Sequence, residues 1–333
     1  MALPETDLSF PAMGCAMRLL VGPPADGDGI GSEQTASKAR ELLESFGSRL
    51  SRFEPESELV QLNSDLRETV AVSPLMVSMV GAALWAAKRT DGLLDPTLVD
   101  DLERAGYATS RRSSPSAPLA DAILRAPKRR PASPRTESAW QQIVIDDQAG
   151  TVTRPAGVRI DSGGVGKGLA ADAVASLLAD RERFCVDTSG DLRIGGRDAI
   201  ADPYHINIED PFGGEPLLTI RIGEGAIATS GIDSRLWEVA GGGFAHHLID
   251  PSTGAPAWTG IVQATALAPT ALEAETLSKQ ALLSGPDRAV SILEPYGGVI
   301  VFDDAHAEAV GPVAELVSSR GFTVTNPSPK AIA

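Results

Sequence analysis

Two cysteines in 333 residues, Cys15 and Cys185, are too few for a disulfide framework and fit a reducing compartment. Positive charge is also short. Against 44 Asp and Glu the chain sets 29 Lys and Arg, a net charge of −15, which argues against a nucleic-acid partner because phosphate backbones attract basic surfaces. No stretch approaches the roughly 20 apolar residues of a membrane-spanning helix, so no membrane partner is expected. The residues before Cys15 hold no Lys or Arg and no apolar core. Ala12-Met-Gly-Cys15 therefore does not read as a processed leader, and a cytoplasmic protein is the expectation. What is present is apolar content of 43%, enough for a substantial core. The expectation is one domain over residues 10–333, built of two intimate subdomains.

Glycine is where the sequence becomes specific. In the stretch 160–169, Ile-Asp-Ser-Gly-Gly-Val-Gly-Lys-Gly-Leu, four glycines fall within six positions around Lys167, after the apolar run 158–160. Leu169, Ala173, Val174, Leu177 and Leu178 then recur at helical spacing, predicting a helix to about residue 180. Strand, glycine turn and helix together offer backbone N–H groups to an anion at a helix N-terminus. Glycine would serve there by accepting positive φ and letting a ligand approach closely. The expected ligand is a phosphate. A Walker A loop is excluded, since Gly168 follows the lysine and Asp161 leads the motif. A Rossmann fingerprint is disfavoured, since Leu169 stands where its third glycine would pack helix on strand.

Around this motif the periodicities predict helices over 33–50, from Ser73-Pro74 to 89, and from a capping box at Thr270 and Glu273. The second of these is apolar nearly all round and reads as a core helix. Strands are expected at 17–21, 142–146, 151–154, 184–187, 205–209, 217–222, 226–228, 247–249, 263–267, 298–302 and 322–325. No regular βαβ alternation emerges. The fold class is therefore α+β, with mixed, largely antiparallel sheets and packed helices. Residues 109–138, rich in Ser, Pro and basic residues, read as a solvated surface excursion.

Single segments have ordinary explanations. Asp95-Pro96-Thr97 and Asp250-Pro-Ser-Thr-Gly254 suit turns. His246 and His247, adjacent in a strand, point to opposite faces. Glu275 and Lys279 suit an exposed i,i+4 ion pair. In combination and in this order they are more specific. Met13-Gly14, Ser51, Phe53, Ser57, Glu58, Asn63, Asp95-Pro96-Thr97, Asp161 through Gly168, Ser189-Gly190-Asp191, Thr229-Ser230-Gly231 and His247 through Gly254 together resemble the ApbE-type FAD:protein FMN transferases, over about residues 12–300.

That resemblance implies an ApbE-like fold with FAD in a cleft between the two subdomains. It implies a protein that binds FAD, cleaves its pyrophosphate and transfers FMN to a threonine of an acceptor protein, releasing AMP. It places Met13, Phe53, Leu93, Leu94, Asp95, Lys167, Leu169, Gly190, Ser230, Ile249 and Asp250 against FAD, with Lys167 at the phosphates. His247 would be the base that deprotonates the threonine hydroxyl, with a pKa near working pH. The resemblance also implies Mg²⁺, at the positions of Gly166, Glu275 and Ser278 and of a threonine that is Lys279 here. An ammonium has three donors and no lone pair, and would repel the cation. Two readings follow. Lys279 takes the place of Mg²⁺ in a working transferase, or the chain binds FAD, or only hydrolyses it, without transferring FMN.

Overall fold

The computed structural model describes residues 5–27, 29–111 and 114–313. Its centre is an eight-stranded sheet in which every neighbouring pair is antiparallel. The sheet starts with a hairpin, β1 (Thr6–Ala12) and β2 (Cys15–Val21). Met13 and Gly14 turn it with φ of 50° and 76°, the double positive-φ turn that matches the twist of paired strands. The sequence predicts only the second of these strands. β1 contains Pro11, which removes a ladder donor and reads against a strand; its place at the sheet edge makes that tolerable.

Helices α1 (Ser32–Leu50), α2 (Glu58–Ser64), α3 (Pro74–Arg89) and α4 (Val99–Arg104) follow, with β3 (Thr69–Ala71) between α2 and α3. In α1, Ala36, Ala39, Leu43, Phe46 and Leu50 are buried on one face, as the periodicity requires. α3 starts where expected, with the Ser73 hydroxyl accepting the N–H of Met76. It is less enclosed than its composition suggests, for Trp85 is 40% exposed. The short α5 (Leu119–Leu124) precedes the hairpin β4 (Val144–Asp146) and β5 (Thr151–Thr153), to which β3 adds a third strand.

α6 (Gly166–Leu177) begins at the glycine motif and ends three residues sooner than predicted. No strand precedes it, since residues 158–160 are irregular. Next come β6 (Phe184–Asp187), β7 (Asp191–Gly195), the separate hairpin β8 (Tyr204–Ile208) and β9 (Leu218–Ile222), and β10 (Gly225–Gly231). The hairpin β11 (Leu236–Val239) and β12 (Gly243–His246) is followed by a small ladder of β13 (Ile249–Asp250) and β14 (Ala255–Pro256). The strand predicted at 247–249 is thus split at His247. Finally, β15 (Ile261–Ala268), α7 (Ala271–Ser284), α8 (Pro286–Leu293), β16 (Gly298–Phe302) and β17 (Ala307–Val310) complete the fold. The strand expected at 322–325 lies outside the described residues.

One face of the large sheet carries the main core, in which α1, α6 and α7 pack over Leu19, Val186, Ala228 and Ala264. The other face meets the β8–β9 hairpin through Ile194, Ile227, Ile220 and Ile222. α7 is buried along most of its length, including Glu275 and Lys279. That overturns the exposed ion pair expected from their spacing.

The described residues of segment 109–138 are mostly exposed, as a surface excursion requires, but a few anchor it to the body of the fold. Leu119, Ala122 and Ala132 are buried. Arg135 pairs with buried Asp101 at 2.5 Å, Arg130 with Asp250 at 3.0 Å, and Arg129 with Asp303 at 2.6 Å. Three of its basic residues thus bind this chain's own carboxylates.

Candidate active site

Beside α1, α6 and α7 lies a cavity of about 740 Å³, within the size range of small-molecule sites. Its floor is the glycine segment, pinned from several sides before the helix starts. The Asn63 amide accepts the N–H of Ile160 and donates to its carbonyl, both at 2.8 Å. The Asp161 N–H donates to the Pro96 carbonyl, and the Ser162 hydroxyl to the Leu50 carbonyl. Ser57 caps α2 through the N–H of Val60 and donates to the Ser51 carbonyl, fixing the bend between α1 and α2.

The glycines have a different reason from the one expected. None of Gly163, Gly164, Gly166 and Gly168 has a positive φ. A Cβ on Gly168 would stand 2.6 Å from the Ala271 carbonyl oxygen, so this glycine lets α6 cross α7 at close range. A Cβ on Gly163 would meet the Asp161 carboxylate at 2.8 Å, whereas Gly164 faces open space. The N–H groups are also not all free for an anion. Gly166 donates to the Ser162 carbonyl, and Gly168 donates to Glu275 Oε2 at 2.8 Å.

Positive charge enters the cavity on arginines, among them Arg52 and Arg235, and on two lysines, each held by a buried carboxylate. Lys167 Nζ lies 2.7 Å from Asp191 Oδ2, and Lys279 Nζ lies 2.7 Å from Glu275 Oε1. Asp191 and Glu275 are 1% and 0% exposed. Burial works to lower the Lys167 pKa, but Asp191 and Glu275 outweigh it and the net shift is upward. Burial and the neighbouring Asp191 push the Glu275 pKa up, against the opposing lysines.

His247, in the break between β12 and β13, faces the same cavity. Its Nδ1 has no hydrogen-bond partner. Burial first, then Arg235, His246, Lys279 and Lys167, hold its pKa well below 6.5. The imidazole is therefore neutral at working pH rather than half-protonated as expected. His246 turns the other way, edge-on to Trp258 at 5.0 Å between ring centres, as alternation along a strand requires.

Tyr107 links the histidine to an aromatic wall, 6.5 Å from His247, 5.3 Å from Phe53 and 5.6 Å from Trp237 between ring centres. The Arg52 guanidinium stacks 4.1 Å from the Phe53 ring and 4.5 Å from that of Tyr107. Its Nε lies 3.4 Å from Asp161, and its Nη2 has no hydrogen-bond partner. Asp95 spends Oδ1 on the N–H and hydroxyl of Thr97, while Oδ2 is unpartnered. Desolvation raises its pKa.

The sequence matches the ApbE family over residues 13–302. The chain belongs to that family. Relatives named FAD:protein FMN transferase include one from Haemophilus influenzae, 26% identical over 79% of this chain and 76% of its own length. Another, from Vibrio cholerae, is 26% identical over 91% and 90%. The crystal structure of the ApbE protein of Thermotoga maritima superposes with a TM-score of 0.78 at 26% identity, covering 95% of this chain and 100% of that one. The apo Pseudomonas stutzeri flavinyl transferase ApbE gives 0.75 at 20% identity, covering 96% and 98%.

Within this ApbE-family fold the cavity gathers Met13, Phe53, Leu93, Leu94, Asp95, Gly166, Lys167, His247, Ile249 and Lys279. Six expected site residues do not line it. Leu169 packs on the core from α6. Gly190, at φ 90°, closes the β6–β7 turn against the Asp187 side chain. Ser230 bonds to Ser278 at 2.8 Å, and Glu275 acts through its bonds to Lys279 and Gly168. Asp250 is a structural latch, taking the Arg130 guanidinium, the N–H groups of Ser133 and Ser252, and the Ser252 hydroxyl.

Sequence reasoning missed Arg52, Tyr107 and Arg235, which line the cavity. Arg52 carried a signal, standing beside Phe53 in a matched motif. Tyr107 carried none.

The expected magnesium set does not fit a cation here. Gly166 and Ser278 are expected to offer only backbone carbonyls, both Glu275 side-chain oxygens are engaged, and Lys279 brings a positive charge to the same place. Mg²⁺ needs oxygen ligands in near-octahedral geometry. Among the described residues no other cluster of three His, Cys, Asp or Glu stands ready for a metal.

Proposed function

We propose that this chain is an FAD:protein FMN transferase that moves FMN from FAD to a threonine hydroxyl of an acceptor protein and releases AMP. The observation that carries this reading is the meeting of Lys167, Lys279 and the neutral His247 around one cavity, in a chain of the ApbE family. The two ammonium groups face the pyrophosphate, and the aromatic wall of Phe53 and Tyr107, with Met13 opposite α6, suits a flat heterocycle.

The step balances without a redox partner. His247 accepts the proton of the threonine O–H, and the threonine oxygen bonds to the phosphorus of the FMN moiety. The P–O bond to the AMP phosphate breaks, and AMP leaves with the electron pair. A base must hold a free lone pair when substrate arrives, and burial keeps His247 unprotonated for that purpose. The lysines stabilise charge as it moves to the leaving phosphate.

The reading is tested by incubating the chain with FAD and a protein bearing an exposed threonine segment, then measuring AMP and the mass of the acceptor. Stoichiometric AMP and an acceptor heavier by FMN are expected. AMP with free FMN and an unmodified acceptor would make the protein an FAD pyrophosphatase. No AMP under any condition would leave only FAD binding.

The compartment is proposed to be the cytoplasm, consistent with the two free cysteines. No helix of the described residues is long and apolar enough to cross a membrane.

A further inference from the structure

We infer that this site takes no divalent cation, and that the Lys279 ammonium, fixed by Glu275, supplies the positive charge at the pyrophosphate instead. The inference rests on the transferase reading for its chemistry. Its structural basis is independent of that reading.

Lys279 and Glu275 lie one turn apart on α7, the most enclosed helix of the fold, so neither side chain has much room to leave. Glu275 is held at both ends. Oε1 takes the Lys279 ammonium at 2.7 Å and Oε2 takes the Gly168 N–H at 2.8 Å. A cation entering here would have to displace the Lys279 ammonium from Glu275, or share the carboxylate with it, and in either case sit beside a positive charge. Like charges at such range in a poorly solvated pocket repel strongly.

The charge count points the same way. Lys167 and Lys279 each pair with a buried carboxylate, Asp191 and Glu275, so that these four groups sum to zero before any ligand arrives. Each ammonium still has donors beyond the one its carboxylate uses, because a lysine offers three. Both lysines line the cavity. A pyrophosphate bridging them would meet two ammonium groups whose positions are already set. Preorganised charge of this kind needs no reorganisation during the reaction and does not depend on metal supply.

Three measurements decide the matter. The first is the affinity of the wild-type chain for FAD, followed by flavin fluorescence in EDTA and in millimolar MgCl₂; equal affinity in both is expected. The second is water-proton relaxation on titrating Mn²⁺ into the wild-type chain with ADP present, where no enhancement is expected. The third is Lys279→Thr, which restores a hydroxyl ligand, set beside Lys279→Met, which keeps volume without charge, with thermal melts to show that both fold. Each should lose about 10²–10³ in AMP release in EDTA, the scale of one lost electrostatic stabiliser. Only the threonine variant should recover on adding Mg²⁺ and bind Mn²⁺.

Wild-type FAD affinity that collapses in EDTA and returns with Mg²⁺ would overturn the inference, as would Mn²⁺ binding to the wild-type chain. A wild type that binds FAD identically with and without metal but never releases AMP would sink the transferase reading and leave the cation inference standing.

Discussion

His247 shows how much a single position can demand. It sits where β12 ends and before β13 begins, so its ring turns to the cavity while His246 packs inward on Trp258. Replacing His247 with Gln should lower kcat by about 10²–10⁴, the usual weight of general base catalysis, while FAD affinity stays close to wild type. A large loss of FAD affinity instead would make the ring a binding group. The pH profile is a second check. Burial and four cationic or imidazole neighbours hold the His247 pKa well below 6.5, so the acid limb of kcat/KM should fall below that value. A limb at or above 6.5 would point to another base. The sequence made His247 a candidate, but its protonation state was not legible, because Arg235 and Lys279 approach it from other elements. Tyr107 stayed hidden for the same reason, and so did its contact with Arg52. Their pairing, ring to guanidinium at 4.5 Å, joins residues far apart in the chain.

At the level of elements, the sequence disclosed the four long helices and most strands of the large sheet, because period and capping are local, but not the short α2, α4, α5 and α8. It missed what contact decides. The glycine motif is the clearest case: its position was legible, but its reason was not, since the partner of Gly168 is the backbone of α7. Gly168→Ala should push α6 from α7 and cost about 1–3 kcal/mol, as overpacking does, with weakened FAD binding because Gly168 also donates to Glu275. Gly164→Ala, which meets nothing within 4 Å, should leave the denaturation midpoint unchanged. Equal effects would show that close helix crossing is not what selects glycine. The β12 strand carries its own titration. Burial holds His246 neutral and lowers its pKa from 6.5 to about 3. The unfolded chain therefore binds the proton first, so stability is lost as pH falls from 6.5 toward 3, by up to about 1.4 kcal/mol per unit. A His246→Gln chain should lose less stability over that window; an unchanged slope would assign the loss to other groups.

Across the whole molecule, a chain of net charge −15 uses several of its arginines as latches, with Arg129, Arg130 and Arg135 tying one segment to carboxylates elsewhere in the fold. Segment 109–138 lies mostly at the surface, but composition reports its charge and not the carboxylates that anchor it. Asp250 is the centre of that arrangement. It takes the Arg130 guanidinium and the Ser133 N–H on one side, and on the other it ends the strand that follows His247. One buried carboxylate thus ties the basic segment to the loop that carries the proposed base, without touching the cavity itself. Asp250→Ala should release the segment, and limited trypsin digestion should then cut after Lys128 and Arg129 faster than in the wild-type chain. The same variant should lower kcat more than it raises KM for FAD, because His247 loses its support while the lysines at the pyrophosphate keep theirs. Cleavage with unchanged kcat would show that the latch holds the segment alone. If FAD affinity were lost together with kcat, Asp250 would belong to the ligand after all.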